Sequence, residues 1–171
     1  MKNTTQDLIN RFEAFHSDLL NFVEQADEDQ WQILTEAEGW KVGVTAHHIG
    51  AIHYPVIDQV QLMIESAPLT TATMADIDRL NEAHVREYAD VTPAQTIEFL
   101  QQEGGRVQRW LAALTQDGLE VTAYIDFMGG DVSAERLLEV VLFDLAEGHF
   151  DSIRQTVASQ REVAAADGEL I

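Results

Sequence analysis

The side chains in this sequence best suited to chemistry are histidines. Three of the six, His47, His48 and His53, fall within seven residues, while His149 stands alone towards the carboxyl end. Neutral imidazole suits zinc, nickel, copper and ferrous iron. A catalytic site of that kind needs three protein ligands and an open position for water or substrate, and His48 with His149 supply only part of it. The chain has no cysteine, which excludes thiolate ligands, a cysteine nucleophile and disulfides. No Ser-His-Asp order, phosphate loop or dinucleotide fingerprint is present, and the pairs Gly104-Gly105 and Gly129-Gly130 lack the context such loops require. On residue types alone two readings stand: a shared metal, or two separate core histidines each hydrogen-bonded to a neighbour.

The elements that must position these residues read as helices. Leu8, Phe12, Phe15, Leu19 and Phe22 make an apolar stripe on a first helix over about 4–26, and Trp31 and Leu34 pin the connection that follows onto the core. A second helix starts near Val42 and runs to about Ser66, with Ile49, Ile52, Val56, Val60 and Met63 on its core face. Pro55 predicts a kink one turn or so after His48. After a loop over 67–72, Thr73 caps a shorter helix bearing Ile77, Leu80, His84 and Tyr88. Thr92-Pro93-Ala94-Gln95 is a capping box with proline at the first helical position, and opens a third long helix to about Leu114. Gly104-Gly105 in its middle marks close backbone packing.

Residues 116–132 are the least helical stretch, and Val121–Phe127 reads as extended. Asp131 or Ser133 then caps a last helix to about Val163, on which Leu138, Val141, Leu142, Leu145, His149, Ile153 and Val157 form one stripe, and the tail after about 164 frays. His149 therefore points at the core. These elements give an all-α chain, a single domain over 1–171: four long helices and one short extra helix in an antiparallel bundle with one long crossover. Bundles of this kind place metal and cofactor sites between facing helices.

The formal charge is −20, from 30 acidic and 10 basic residues. Such a field repels nucleic-acid backbones and anionic lipid heads, so no nucleic-acid partner is expected. No apolar run approaches a membrane span, and the polar amino terminus lacks a signal-peptide core; the expected setting is the cytoplasm, with no membrane partner.

Trp40-Lys41-Val42 followed by Ala46-His47-His48-Ile49 resembles the DinB-like (DinB/YfiT-like) superfamily of metalloenzymes, in which a tryptophan lies eight residues before the first metal histidine, as Trp40 does before His48. Asp76-Ile77-Asp78 with Asn81 and His84 resembles the connecting helix of one subgroup. His149-Phe150-Asp151-Ser152-Ile153-Arg154 resembles the final metal histidine and the Ser-Ile-Arg run after it, and the likeness extends to about Arg161. It implies a four-helix bundle of up-down-down-up type, often a homodimer, holding zinc or nickel on three histidines or on two histidines and a glutamate. Relatives of this kind include mycothiol-dependent maleylpyruvate isomerase and bacillithiol transferases, in which the metal activates a low-molecular-weight thiol.

The sequence departs from that pattern at one position. The second ligand of the family lies four residues before the last histidine, and that position here is Leu145, which cannot bind a metal. Asp144 is the nearest substitute as third ligand, but lies about 100° round an ideal helix and needs local distortion to reach. His47 and His53 are read as supporting or surface residues. Two functions follow: a metal-dependent enzyme of hydrolase or thiol S-transferase type with a degenerate site, or a dimeric, non-catalytic small-molecule-binding or stress-associated module that has lost the metal.

Overall fold

The computed structural model describes residues 3–168 and is mainly helical. Helix α1 (Thr5–Gln25) opens on a capping box in which Thr4 accepts from the Asp7 amide and Asp7 accepts from the Thr4 amide, and it buries Leu8, Phe12, Phe15, His16, Leu19 and Val23. Its apolar stripe is the expected one, except that Val23 rather than Phe22 closes it. A short α2 (Glu28–Gln32) follows behind a second capping box, Asp27 with Gln30. Trp31 is buried and its indole N–H donates to the Val91 carbonyl at 2.7 Å, so it does pin the connection. Leu34, expected beside it, is exposed.

The second long helix is not continuous α-helix. It consists of α3 (Val42–His48), a π-helical turn (Ile49–His53) and α4 (Val56–Ile64), which restarts immediately after Pro55. The expected kink is therefore a π turn upstream of the proline. Helix α5 (Met74–Glu87) begins at the Thr73–Asp76 capping box and buries only His84. Helix α6 (Pro93–Ala113) starts as the Thr92–Gln95 box requires, and α1 packs along it. At their contact Gly104 faces His16, where a Cβ would lie 2.2 Å from the ring. That imidazole stacks on Phe12, and its Nδ1 is 2.9 Å from the hydroxyl of the fully buried Tyr54. Of the two glycines, Gly104 is the one that close packing demands.

After a short α7 (Gln116–Glu120), the stretch read as extended forms a hairpin: β1 (Thr122–Ile125) pairs antiparallel with β2 (Gly130–Ser133), Thr122 opposite Ser133. Gly129 closes the turn at φ 71°, a conformation glycine adopts without steric penalty. Ser133, one of the two expected caps, accepts from the Arg136 amide to start α8 (Ala134–Leu138). A second π turn (Glu139–Leu145) leads into α9 (Ala146–Gly168). The helix thus continues past 164, where fraying was expected; 169–171 lie outside the described residues.

This second π turn rotates the core face. Leu138 and Leu142 are buried as expected, but the stripe then passes to Ala146, Phe150, Ile153 and Val157 instead of Leu145 and His149. Leu145 is 46% exposed, and His149 sits on the flank of the stripe, half-buried.

Candidate metal centre

The two π turns lie near each other, and the site is built around them. His48 and His53 are five residues apart, which on an α-helix would set them about 140° round the axis. In a π turn residue i bonds to i+5, so residues five apart come to one face. The His48 and His53 rings accordingly meet edge to face with centroids 5.3 Å apart. His149 reaches both from α9, its ring centroid 5.1 Å from each. One ring nitrogen from each of His48, His53 and His149 lies within 4.8 Å of the others.

The structure thus brings His48 and His149 together and adds His53, which the sequence reading had set aside. It does not bring Asp144 to them. The Asp144 carboxylate is about half exposed and faces Arg11 at 3.4 Å and Arg136 at 3.9 Å. Leu145 does not replace the missing ligand either, since it points outward. The third imidazole instead comes from the first histidine's own helix, and the periodicity of an α-helix gives no sign of it.

The chemistry of the donor set fits a divalent transition ion. Burial, then the neighbouring His53 and His149, pushes the His48 imidazole down to about 2. Burial, then His149, pushes His53 down to about 3, with the Val141 carbonyl opposing the shift. Both rings are neutral at neutral pH, the form that ligates metal. The buried His48 Nδ1 and both ring nitrogens of His53 lack a hydrogen-bond partner of normal geometry. Buried polar atoms are nearly always satisfied, and each orphan costs about 1–3 kcal/mol. A shared cation takes one nitrogen from each ring, and would satisfy an orphan on each of His48 and His53.

The surrounding residues hold the rings in place. Trp40 lies 5.0 Å from His48 and 6.2 Å from His149 between ring centroids, so it packs on the site itself. His47 points the other way. Its ring stacks on Tyr88 and Phe99, and its Nδ1 is 3.4 Å from His84 Nε2. Burial, followed by the His84 charge, takes His47 down to about 4. This pair ties the otherwise exposed α5 to α3. A surface cavity of about 370 Å³ opens on its outer side, lined by His47, Arg86, Tyr88 and Gln95 among others.

Sequence reasoning also missed Glu38. Its carboxylate is 2.8 Å from His149 Nδ1 and accepts a hydrogen bond from the Ser152 hydroxyl at 2.7 Å. Burial would raise its pKa, but the hydrogen bonds from Ser152, His149 and Thr35 outweigh that and hold it below the usual carboxylate value. Nothing in the local pattern of an acidic loop marks such a residue, and its partners on α9, His149 and Ser152, lie more than a hundred positions away.

No curated protein and no solved structure is similar enough to the chain to match it. The family model for the mycothiol maleylpyruvate isomerase N-terminal domain, in contrast, matches residues 12–146, which includes His48 and His53 and stops just short of His149. The resemblance read from Trp40 to His48 therefore holds at the level of the superfamily. On a match of that extent, the chain belongs to the mycothiol maleylpyruvate isomerase N-terminal domain family, within the DinB/YfiT-like superfamily of mainly helical domains.

Proposed function

We propose that this chain is a metal-dependent enzyme of the thiol-dependent transferase or isomerase type, its ion held by His48, His53 and His149. The observation that carries the reading is the convergence of one ring nitrogen each from His48, His53 and His149, the first two rings buried and neutral with unpartnered nitrogens. Membership of a family named for a mycothiol enzyme supports the thiol. Zinc or nickel bound by three protein ligands would keep an open position and lower the pKa of a thiol or water placed there. His48 and His53 contribute lone pairs without first losing a proton, and Trp40 covers one side of the two facing rings. The reading also takes the long helices as a four-helix bundle, supported by α1 lying along α6 and by α3 packing on both α6 and α9.

Metal analysis of untagged protein tests it. Close to one equivalent of zinc or nickel is expected, falling below about a tenth of an equivalent in His53→Ala, because ligand count decides retention of a transition metal. Wild-type protein that stays below that level after zinc or nickel is added refutes it. The second reading, a small-molecule-binding module without metal, draws on Leu145, a non-ligand at the family's ligand position. It requires His48→Ala to leave ligand binding and fold unchanged.

A further inference from the structure

We propose that Glu38 is a positioning residue of the three-histidine centre: it holds His149 through Nδ1 and so turns the other ring nitrogen, Nε2, towards His48 and His53. The inference rests on the metal reading above and extends it to a residue outside the ligand set.

The geometry is that of a built support. A carboxylate only accepts, so the 2.8 Å contact makes His149 Nδ1 the protonated nitrogen and leaves the Nε2 lone pair free. The second carboxylate oxygen is taken by the Ser152 hydroxyl at 2.7 Å. Ser152 lies one turn beyond His149 on α9, so a single helix supplies both the ring and the hydroxyl that orient the carboxylate. The loop is fastened around this point. The Thr35 amide donates to the Trp40 carbonyl at 2.7 Å, the Val42 amide to the Ile33 carbonyl at 2.8 Å, and the Glu36 amide to the Thr156 hydroxyl at 3.2 Å. Gly39, at φ 70°, reverses the chain between Glu38 and Trp40, so that both side chains reach His149. The side chains of Glu38 and His149 are 11% and 20% exposed, which keeps water from competing for the contact. A carboxylate behind a metal-binding imidazole fixes its tautomer and orientation, and loss of such a partner weakens metal binding about 10- to 100-fold.

The test uses the whole chain as wild type, Glu38→Gln and Glu38→Ala. Zinc affinity is measured by competition with a chromophoric chelator, and the visible spectrum of the cobalt(II)-loaded protein reports ligand geometry. Both variants are expected to weaken zinc by about 10- to 100-fold and to alter the cobalt bands. Imidazole nitrogen NMR of the metal-free protein is expected to show the Nδ1–H tautomer at His149 in the wild type and its loss in Glu38→Ala. If Glu38 only tethers the loop, Glu38→Gln will bind zinc within about twofold of wild type with an unchanged cobalt spectrum; that outcome overturns the proposal and leaves the three-histidine reading standing. A wild-type chain that binds neither ion overturns both. Because Glu38→Gln preserves side-chain size, the test remains decisive if Glu38→Ala does not fold.

Discussion

The two glycines in the middle of α6 should respond to alanine with opposite signs. A Cβ on Gly104 would lie 2.2 Å from Cε1 and 2.3 Å from Nε2 of His16, well inside contact distance. The ring has no free direction to yield, since it is stacked on Phe12 and bonded to Tyr54, itself fully buried. Overpacking of a filled core costs about 1–3 kcal/mol. Displacing His16 also strands the Tyr54 hydroxyl at a further ~1–3 kcal/mol. The better helix propensity of alanine returns about 1 kcal/mol. Gly104→Ala should therefore destabilise by roughly 1–5 kcal/mol. Gly105 meets only the end of the Arg109 side chain, at 3.3 Å, and that exposed guanidinium can move aside. Gly105→Ala should accordingly stabilise by ~0.5–1 kcal/mol. Urea unfolding followed by far-UV circular dichroism measures both, with the m-value as a check that the unfolded state is unchanged. In a Tyr54→Phe background the cost of Gly104→Ala should shrink, since no hydroxyl is left to strand. The reasoning fails if Gly104→Ala is as stable as the parent, or if the two variants shift the midpoint in the same direction.

Two further predictions follow from the site. His47, His48 and His53 have folded pKa values of about 4, 2 and 3, below the ordinary histidine value near 6.5. Between those values the unfolded chain binds more protons, so their contribution is complete above about pH 6.5 and is lost as pH falls towards the folded values. For metal-free protein the loss between pH 7.5 and 5 is about 2 kcal/mol per group, roughly 6 kcal/mol in all; urea midpoints that do not change over that range would contradict it. Asp144→Ala should leave zinc stoichiometry unchanged and alter stability by less than about 1 kcal/mol, because its ion pairs with Arg11 and Arg136 are at the surface. A large drop in bound metal in that variant would return Asp144 to the ligand set.

Much of the helical framework was legible in the sequence because helix starts are local. Thr73 with Asp76 and Thr92 with Gln95 are reciprocal caps that need no knowledge of the rest of the chain. His48 stood out in another way, through the likeness of its distance from Trp40 to the pattern of the family. What escaped is everything that depends on a departure from 3.6 residues per turn. Judged by that period, His53 falls off the His48 face and Leu145 falls on the buried stripe with Leu138 and Leu142; the π turn at 49–53 brings His53 back to His48, and the one at 139–145 turns Leu145 outward. Glu38 escaped for another reason. It lies in a loop, and its role exists only once Gly39 and the contacts to α9 have folded that loop against His149.

The π turn at 49–53 also bears on how this protein can change over evolutionary time. A substitution within it alters one side chain, whereas a one-residue deletion between His48 and His53 would restore an ordinary α-helix with the two histidines four apart and still on one face. The π turn thus carries one residue more than an α-helix would need to keep the two rings together, so loss of a residue here is open to the chain without loss of the pair.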